Sequence, residues 1–585
     1  MRISIFASVL FARVLWALSL SLALGGVAYA ADVPADATVA WKRDGQVEMR
    51  ALSANVPPST IASGEVNTRV PLGSLWKLFV FAYLSQTHAK EAAYTCSTKR
   101  ATLQRTVLES TALENREEHY CCQPGESVTR NEALAKSCAP YFALDRLGIS
   151  KQDWQQQWKA YTHAAWILDP EKLQPKTEVA VGELLDVLVA IPPQARAEAR
   201  NALLAVGIEG YGRDAWSVLG TGLRYKTYTW HRADGRTYGG AAGWLADGTP
   251  FWFGASGSSR TALATWALPL AQTLPPPRLH TLTANASDAS CVEVDFFQRY
   301  PLRAVWHATQ PVAIKSGDLA GRYRLEFVNG NWLTITSRDG LSLISEPNKA
   351  PTISGRFTLN DYVARVIDRE GNATHTQAAR ALAIAARSYL MQNAHFKSGC
   401  WRIADSSRTQ RVSANSPTQA ALGTAWFTDQ LVLKGVAVQY HGDAPAPNRL
   451  AWKNAVAREG EGWNFERILS DAYPQATLAT LSGREECTRL TAAEQWLANA
   501  SRAWSAKLVR EPGYEALNAP LKICALAEGH PYSDQQRLRI YVRAWHKLDD
   551  RITLAHEYLH LAFRFHPRGA DEAYIERLAR QLIEG

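Results

Sequence analysis

The sequence predicts a multidomain protein of the α+β class with three successive folded domains. The chain has 585 residues, whereas a single hydrophobic core rarely grows beyond about 250–300 residues. Residues 274–290 carry three consecutive prolines and then small polar residues, which is typical of a linker. A softer boundary lies near residues 482–484, before an amphipathic helix that is expected from Thr491. The predicted segments are residues 1–30, 31–275, 276–290, 291–482 and 483–585.

The first 30 residues have the pattern of a secretory signal peptide. Arg2 and Arg13 precede an apolar run from Val14 to Val27, and Ala28-Tyr29-Ala30 offers a small-x-small cleavage site. The apolar run is short for a membrane-spanning helix, and no second long run follows. We therefore expect an exported, periplasmic protein with no stable membrane span after cleavage.

The cysteines fit the oxidising compartment that a signal peptide implies. The chain has eight, in three groups: Cys96, Cys121, Cys122 and Cys138; Cys291 and Cys400; Cys487 and Cys524. An even number in each group suggests disulfides within each domain. Adjacent Cys121 and Cys122 are not expected to pair with each other, which leaves Cys96 and Cys138 as their partners. The sequence has no CxxC pair, which argues against a redox motif or a zinc ribbon.

The composition is that of an ordinary globular protein, with 46% hydrophobic and 20% charged residues. A formal charge of +9 spread over the whole chain suits contact with anionic polymers only weakly. No cluster of basic residues with interleaved aromatic residues occurs, so nucleic acid is not an expected partner.

Residues 31–275 mix helices and strands. An apolar helix is predicted from Leu75 to Leu84 and another helix from Val179 to Ile191, while strand patterns come late, at Tyr225–His231 and Gly243–Ala255. This order fits an α+β domain in which a central helix packs on a sheet.

A serine motif starts the apolar helix of this first domain. Ser74 and Lys77 lie at i and i+3, which puts both side chains on one helix face. A buried lysine whose pKa is lowered can take the serine proton and make the hydroxyl a nucleophile. An S-x-x-K motif alone is weak, because about one match is expected by chance in a chain of this length.

The surroundings of Ser74 resemble the penicillin-binding protein and β-lactamase superfamily. Ser137 stands where that family has its second serine motif, and Lys226 and Thr227 begin the sequence that matches its K-T-G strand. Two departures are Ala139 in place of an asparagine and Tyr228 in place of the strand glycine. A tyrosine there should crowd a substrate that lies along the strand. The resemblance implies a β-lactamase-like fold and a stem-peptide or β-lactam ligand, with either acyl-enzyme chemistry or binding alone.

The middle domain contains the most informative stretch, Tyr362 to Leu390. Glu370 is predicted to end a β-type run that contains Val363, Val366 and Ile367, and an alanine-rich helix then leads to Arg387. Small side chains let other backbones approach closely, so this helix is predicted to be buried. A carboxyl group beside such a face would keep its proton near neutral pH and could act as a general acid.

This stretch resembles the catalytic signature of the stage II sporulation protein D and LytB family of lytic transglycosylases. Ile367 replaces the family's valine, and the remaining matching positions are Glu370, Ala381, Ala383, Ala386, Arg387, Ser388 and Tyr389. The likeness covers about 190 residues, from a strand-rich region near Val292 to Pro474. It implies a β-rich plus helical fold that acts on peptidoglycan glycan strands, in which Glu370 protonates the glycosidic oxygen and Arg387 supports the site.

The last domain carries HEYLH, in which His556 and His560 lie at i and i+4 on one helix face with Glu557 between them. This spacing can hold a zinc ion (Zn2+) and place Glu557 as a general base. A strand is predicted from Leu538 to Trp545 and a second helix from Ala570 to Ile583. The alternative to a metal site is a charged helix pair.

The pattern of the last domain resembles a compact zincin with a small helical and β fold. Glu572 and Glu576 match the gluzincin arrangement, in which Glu572 would be the third metal ligand and Glu576 would hold a ligand histidine. His566 is the alternative third ligand because it has metzincin spacing, although Phe563 occupies the glycine position of that motif. The resemblance implies a zinc metallopeptidase.

The order of domains also resembles a family of secreted bacterial proteins of undefined function, which implies an association with bacterial α2-macroglobulins. Two hypotheses follow for an enzyme: a peptidoglycan-processing protein, or a metallopeptidase that acts on proteins. The third is an accessory or binding protein that contacts envelope proteins and in which some sites are inactive.

Overall fold

The computed structural model describes residues 37–52, 59–60, 67–96, 125–210, 212–232, 234–279, 291–310, 312–440, 446, 448–517, 521–526, 531–535 and 537–584. The predicted signal peptide, Cys121, Cys122 and residues 280–290 of the predicted linker lie outside these ranges. Within them, no helix combines the length and the apolar character that a membrane crossing needs.

The first module is built on an antiparallel six-stranded sheet. In spatial order its strands are Ser59–Thr60, Gln46–Leu52, Ala37–Arg43, Pro250–Ser256, Thr237–Trp244 and Arg224–His231. Two short ladders join Arg69–Pro71 to Glu178–Ala180 and Tyr94–Thr95 to Ser127–Val128. The α-helices are Trp76–Gln86, Arg130–Ala135, Ala139–Phe142, Leu144–Leu147, Lys151–Lys159, Ala165–Leu168, Val181–Ala190, Pro193–Ile208, Trp216–Leu219 and Ser259–Thr273, with 3₁₀ turns at Gly73–Leu75 and Pro170–Lys172.

The central helix of this module is the one that follows the serine motif. Its sequence is apolar around most of its circumference, and every residue from Trp76 to Ser85 is buried. The predicted helix therefore exists, as Trp76–Gln86. The predicted strand region Gly243–Ala255 is the hairpin formed by Thr237–Trp244 and Pro250–Ser256.

The second module joins a mixed sheet to a helical layer. In spatial order the six strands are Gly317–Asp318, Leu341–Ile344, Thr352–Thr358, Cys291–Phe296, Cys400–Ala404 and His395–Lys397. A three-stranded sheet contains Leu302–His307, Gly321–Phe327 and Trp332–Ser337, and a two-stranded one contains Leu431–Lys434 and Thr477–Thr480. The helices are Leu359–Glu370, Thr376–Asn393, Gln419–Phe427, Trp452–Gly460 and Phe465–Ala472.

One secondary-structure prediction in this module is wrong. The run that contains Val363, Val366 and Ile367 is not a strand but part of the helix Leu359–Glu370. The apolar residues recur with helical spacing and are fully buried. Thr358 caps the helix, because its hydroxyl oxygen accepts a hydrogen bond from the Asp361 N–H at 3.4 Å. The alanine-rich helix is found as predicted, at Thr376–Asn393.

The third module packs helices on a small sheet. The strands, in spatial order, are Lys522–Ala525, Arg539–Val542 and Tyr532–Asp534. The α-helices are Thr491–Leu508, Leu548–Ala562 and Glu572–Glu584, with a 3₁₀ turn at Pro567–Ala570. The helices predicted from Thr491 and from Ala570 are therefore both present, the second starting two residues later than expected.

The disulfides follow the predicted grouping where the structure describes both partners. Cys291 is bonded to Cys400 and Cys487 to Cys524. Cys96 and Cys138 are each disulfide-bonded, while their predicted partners lie outside the described residues.

The three modules are joined to one another by buried contacts. Leu204, Ile208 and Trp216 of the first module belong to the hydrophobic core of the second. The Arg224 guanidinium of the first module donates to the Asp429 carboxylate of the second at 2.6 Å, and both side chains are nearly inaccessible to solvent. Arg537 of the third module pairs at 2.9 Å with Glu466 of the second, again away from solvent.

Candidate functional site

Glu370 occupies the last position of the helix Leu359–Glu370, at the edge of the second module's core. Its carboxylate oxygen Oε1 accepts a hydrogen bond from the Arg411 N–H at 2.8 Å. Burial raises the pKa of the Glu370 carboxyl, and the negative charge of Asp405 acts in the same direction. Hydrogen bonds from the Arg411 N–H and from the Tyr440 hydroxyl oppose this rise. The group therefore combines the raised pKa of a general acid with fixed hydrogen-bond partners.

A buried chain of side chains determines the orientation of the Tyr440 hydroxyl. Tyr362 donates its hydroxyl proton to Gln410 Oε1. The Gln410 amide in turn donates to the Ala386 carbonyl at 3.0 Å and to the Tyr440 oxygen at 2.6 Å. Because the Tyr440 oxygen accepts from Gln410, its own proton is left to point at Glu370, to which it is hydrogen-bonded.

The loop that carries Arg411 is held by a buried arginine. Arg365 is fully buried and forms an ion pair with Asp361 at 3.1 Å. Its guanidinium also donates to the carbonyl oxygens of residues 413–415, at 2.8–3.4 Å. Asp405 holds the same loop, since its carboxylate accepts from the Val412 N–H at 2.9 Å. The N–H group that contacts Glu370 is therefore fixed by the fold.

Arg387, predicted to support the glutamate, lies fully buried inside the module. Its guanidinium donates to the carbonyl oxygens of Ala425, Thr428 and Leu431 and to Asn360 Oδ1, at 2.7–3.1 Å. These contacts tie the alanine-rich helix to the 425–431 segment. Arg387 therefore stabilises the framework and does not touch the Glu370 carboxyl through these bonds.

The four predicted groups of the serine site form two sets of hydrogen bonds, one around Ser74 and one around Lys77. Ser74 Oγ donates to the Thr227 carbonyl oxygen at 2.8 Å, and Lys226 Nζ donates to the same carbonyl at 2.9 Å. Lys77 is buried, and its Nζ donates to the Ser137 carbonyl at 2.9 Å and lies 3.3 Å from Ser137 Oγ. The serine proton is thus directed at a backbone carbonyl on the neighbouring strand.

Tyr228, which was expected to crowd a substrate that lies along the strand, is directed into the core of the module. Its side chain is buried at 1% exposure, and its hydroxyl donates to the Phe253 carbonyl at 3.3 Å. The ring packs against the turn before Ser74, because a Cβ added to Gly73 would lie 2.9 Å from the Tyr228 Cβ. The strand therefore lies directly against the turn that carries Ser74.

The third module brings two histidines and a glutamate to one point. The Nε2 atoms of His556 and His560 are 2.9 Å apart. Glu572 places one carboxylate oxygen 3.1 Å from His556 Nε2 and the other 3.6 Å from His560 Nε2. All three ligand atoms lie within 4.8 Å of one another, so they could hold one metal ion.

The outer ring nitrogens of both histidines have their own partners. His556 Nδ1 lies 3.0 Å from a Glu576 carboxylate oxygen, and His560 Nδ1 lies 2.7 Å from the Gly569 carbonyl. Such contacts orient ligand histidines in metal sites. Gly569 lets this turn lie close to the end of the histidine helix, because a Cβ there would lie 2.4 Å from the Phe563 carbonyl oxygen.

Glu557, the predicted general base, is buried on the same helix. Burial raises the pKa of its carboxyl to about 7, although His560 and hydrogen bonds with Ser533 oppose the rise. His566, the alternative third ligand, lies away from the histidine pair. It caps the 3₁₀ turn Pro567–Ala570 by accepting from the Arg568 N–H at 3.2 Å, and its ring packs against Gly513.

Sequence reasoning did not identify the residues that hold Glu370. Gln410 and Arg411 lie inside a stretch of family resemblance, but nothing in their residue types marked them. Tyr440 had no sequence signal, because its contact with Glu370 is created by the tertiary fold.

Two family models match this chain, and one of them spans parts of all three modules. A family model described as "Predicted secreted protein (DUF2300)" matches residues 114–236 and 448–568. A second model, "Stage II sporulation protein", matches residues 348–430, which include Glu370 and its helix. The "Uncharacterized protein YfaQ" of Escherichia coli (strain K12) is 40% identical over 516 residues, covering 88% of this chain and 89% of that protein.

Among solved structures, part of this chain is similar to class A β-lactamases. One is the last common ancestor of Gram-negative bacteria (GNCA4) β-lactamase, with 15% identity, a TM-score of 0.25 and coverage of 41% of this chain and 94% of that chain. An ancestral (GNCA) class A β-lactamase gives 15% identity, a TM-score of 0.25 and coverage of 41% and 95%. At these TM-scores the likeness carries no weight in assigning a function.

Proposed function

Because this chain belongs to the family of secreted proteins described as DUF2300, and includes a stage II sporulation protein domain, we propose that it cleaves peptidoglycan glycan strands in the periplasm. The observation that carries the proposal is the partly buried Glu370 carboxyl with its raised pKa. Its position in the matched region and its fixed partners, Arg411 and Tyr440, support a catalytic role. The secreted location and the disulfides suit a protein of the cell envelope.

In the proposed reaction Glu370 starts as the protonated acid. It gives its proton to the glycosidic oxygen as the bond to the anomeric carbon breaks, and the 6-hydroxyl oxygen of the same sugar forms the new bond to that carbon. The carboxylate left on Glu370 then takes the 6-hydroxyl proton, which restores the acid. No water is consumed, so the product is an anhydro sugar. One carboxyl group suffices, whereas ordinary glycoside hydrolysis uses two.

The test is incubation of the protein with denuded glycan strands, followed by mass analysis of the released sugars. We expect products lighter than hydrolysed ones by one water, and their loss in Glu370→Gln, which keeps the side-chain shape but cannot donate the proton. Glu461→Gln is the matched control, because Glu461 lies in the same module in a solvent-exposed pair with Arg458. Reducing-end products would assign hydrolysis, with Asp405 as the second carboxyl group to test. No released sugar would contradict the proposal.

A second candidate function is a zinc peptidase activity in the third module. The convergence of His556, His560 and Glu572 favours it, because this donor set and its supporting contacts fit a catalytic zinc ion. A zinc ion bound there would supply Lewis acidity and lower the pKa of a bound water. Glu557 would hold the proton taken from the attacking nucleophile.

Elemental analysis of the purified protein tests the metal site directly. We expect about one zinc ion per chain, lost in His556→Ala and retained in His566→Ala. A metal-free wild-type protein would contradict the candidate function. The substrate would be either the stem peptides of the wall or envelope proteins. Digestion of each substrate by the wild-type protein distinguishes the two, and Glu557→Gln shows whether the cleavage depends on this site.

The remaining candidate is an accessory or binding protein of the envelope, for example one linked to bacterial α2-macroglobulins. The serine site favours this for the first module, because Ser74 donates its proton to the Thr227 carbonyl. Glycan binding without release of sugars by the wild-type protein would support this alternative over catalysis.

A further inference from the structure

The three-stranded sheet of the second module has two different faces. Tyr323, Leu325 and Ile335 are buried in the core on one side. The other side faces solvent and includes the five side chains that we call the Trp332 face: Trp306, Arg322, Arg324, Glu326 and Trp332. The strand register puts these residues in adjacent rows, since Arg324 pairs with Trp306 and Glu326 pairs with Trp332.

Trp332 is the most unusual residue on this face. Its side chain is 44% exposed, and no other tryptophan in the described part of the chain is exposed to this extent. The Arg324 guanidinium lies 3.6 Å from its ring centroid, a cation–π contact that restrains the indole. An exposed, rigid aromatic surface of this kind is typical of a binding site.

The face is also positively charged. Glu326 is the one acidic member, and it is engaged by Arg303 at 3.3 Å and by the Trp306 N–H at 3.4 Å. Arg322 and Arg324 are exposed and form no ion pair with any residue in the described ranges. Two guanidinium groups that lack a carboxylate partner in the described ranges, beside an exposed indole, favour a ligand that offers both carboxylates and an apolar ring face.

The Trp332 face is connected to Glu370 through the backbone. Thr336, on the same strand as Trp332, accepts from the Ser416 N–H at 2.9 Å, and its own N–H donates to Asn415 Oδ1 at 2.8 Å. That segment continues the loop whose Arg411 N–H binds Glu370. Because a strand rises about 3.3 Å per residue, Trp332 and Thr336 are roughly 13 Å apart along the strand.

We propose that the Trp332 face binds the glycan strand of peptidoglycan at sugars beyond the one cleaved at Glu370. The apolar face of a sugar ring packs on the Trp332 indole, and the carboxylates that the strand carries on its lactyl or peptide substituents pair with Arg322 and Arg324. The inference rests on the proposed glycan cleavage for its substrate class. It adds a contact that lengthens the recognised substrate beyond the reacting bond.

The test measures binding in the Glu370→Gln background, so that cleavage does not consume the ligand. Full-length protein is sedimented with insoluble sacculi and titrated against soluble denuded glycan strands. We expect Trp332→Ala to weaken binding about tenfold, the effect of one lost aromatic stack, and Trp332→Phe to restore most of it. Arg324→Ala should weaken binding and reduce its salt dependence. The matched control is Phe565→Ala, because Phe565 is an exposed aromatic residue stacked by Arg564 on another module.

Two further ligands separate the contributions of ring and charge. A neutral polymer of N-acetylglucosamine should bind more weakly than glycan strands in wild type and lose affinity in Trp332→Ala but not in Arg322→Ala, because Arg324 and not Arg322 stacks on the indole. Polyglutamate offers carboxylates without sugar rings, so it should not compete with glycan strands for binding to the protein. Unchanged glycan binding in Trp332→Ala, or binding of polyglutamate equal to that of glycan, would overturn the inference.

The outcomes also separate this inference from the proposed activity. If wild type releases no sugars yet Trp332→Ala still loses glycan binding, the proposed activity fails and the binding face stands. If wild type cleaves polymeric glycan and Trp332→Ala leaves both KM and affinity unchanged, the proposed activity stands and the binding face fails. Where both are correct, Trp332→Ala raises KM for long strands and leaves kcat for short soluble fragments unchanged.

Discussion

The ion pair between Arg224 and Asp429 joins the first two modules, and its removal should destabilise both. The two side chains are 3% and 10% exposed, and the guanidinium lies 2.6 Å from the carboxylate. Asp429 also accepts from the Asn360 amide at 2.8 Å. Asp429→Ala would leave the Arg224 charge buried without a counter-ion, which costs about 3–5 kcal/mol. For domains of this size the loss corresponds to a fall in Tm of roughly 6–20 °C.

Differential scanning calorimetry of the full-length protein measures this effect. The double variant Arg224→Met/Asp429→Leu should recover most of the loss, because no isolated charge then remains in the interface. Lys349→Ala is the control, since Lys349 forms an exposed pair with Glu346 and should change stability by less than about 1 kcal/mol. A change for Asp429→Ala as small as the control's would refute the argument that the buried pair holds the modules together.

Three other results are expected. Tyr440→Phe removes a hydrogen bond that favours the charged form of Glu370, so the pKa of Glu370 should rise further. The basic limb of the pH–rate profile for glycan cleavage should therefore move to higher pH. A shift to lower pH would contradict the assignment of Glu370 as the acid. Glu576→Gln should weaken zinc binding about 10–100-fold in equilibrium dialysis, because it loosens His556 without removing a ligand; unchanged affinity would exclude a supporting role. Wild-type protein should stay unlabelled by fluorescent penicillin, because the Ser74 proton is directed at a carbonyl; a labelled band that disappears in Ser74→Ala would show acyl-enzyme chemistry.

The features that depended on short-range spacing were the predictable ones. The pair His556 and His560 is separated by one helical turn, so the motif spacing predicted that these two side chains meet, and Glu572 at the start of the next helix was one of the two predicted third ligands. The central helix Trp76–Gln86 was predicted for a similar reason, because its long apolar run has no turn residues. The two disulfides that the structure describes follow from an even number of cysteines in each domain.

Long-range contacts set the limit of sequence reasoning. The strand prediction before Glu370 was wrong because β-branched Val363, Val366 and Ile367 were given more weight than their helical spacing. Arg387 was expected to support the site because it belongs to the family motif, and the carbonyl groups that it binds lie in the 425–431 segment, which that motif does not contain. The hydroxyl that orients Glu370 belongs to Tyr440, whose position depends on the packing of the whole module.

The strand Arg224–His231 connects these observations across the first two modules. At its start, Arg224 binds Asp429, and Asp429 in turn holds Asn360 at the beginning of the helix that ends in Glu370. Two residues further along, Lys226 and the Thr227 carbonyl engage the serine site. A substrate that entered between Ser74 and this strand would have to displace a strand whose first residue anchors the second module. The strand that carries Lys226 and Thr227 is therefore also tied, through Arg224, Asp429 and Asn360, to the helix that carries Glu370.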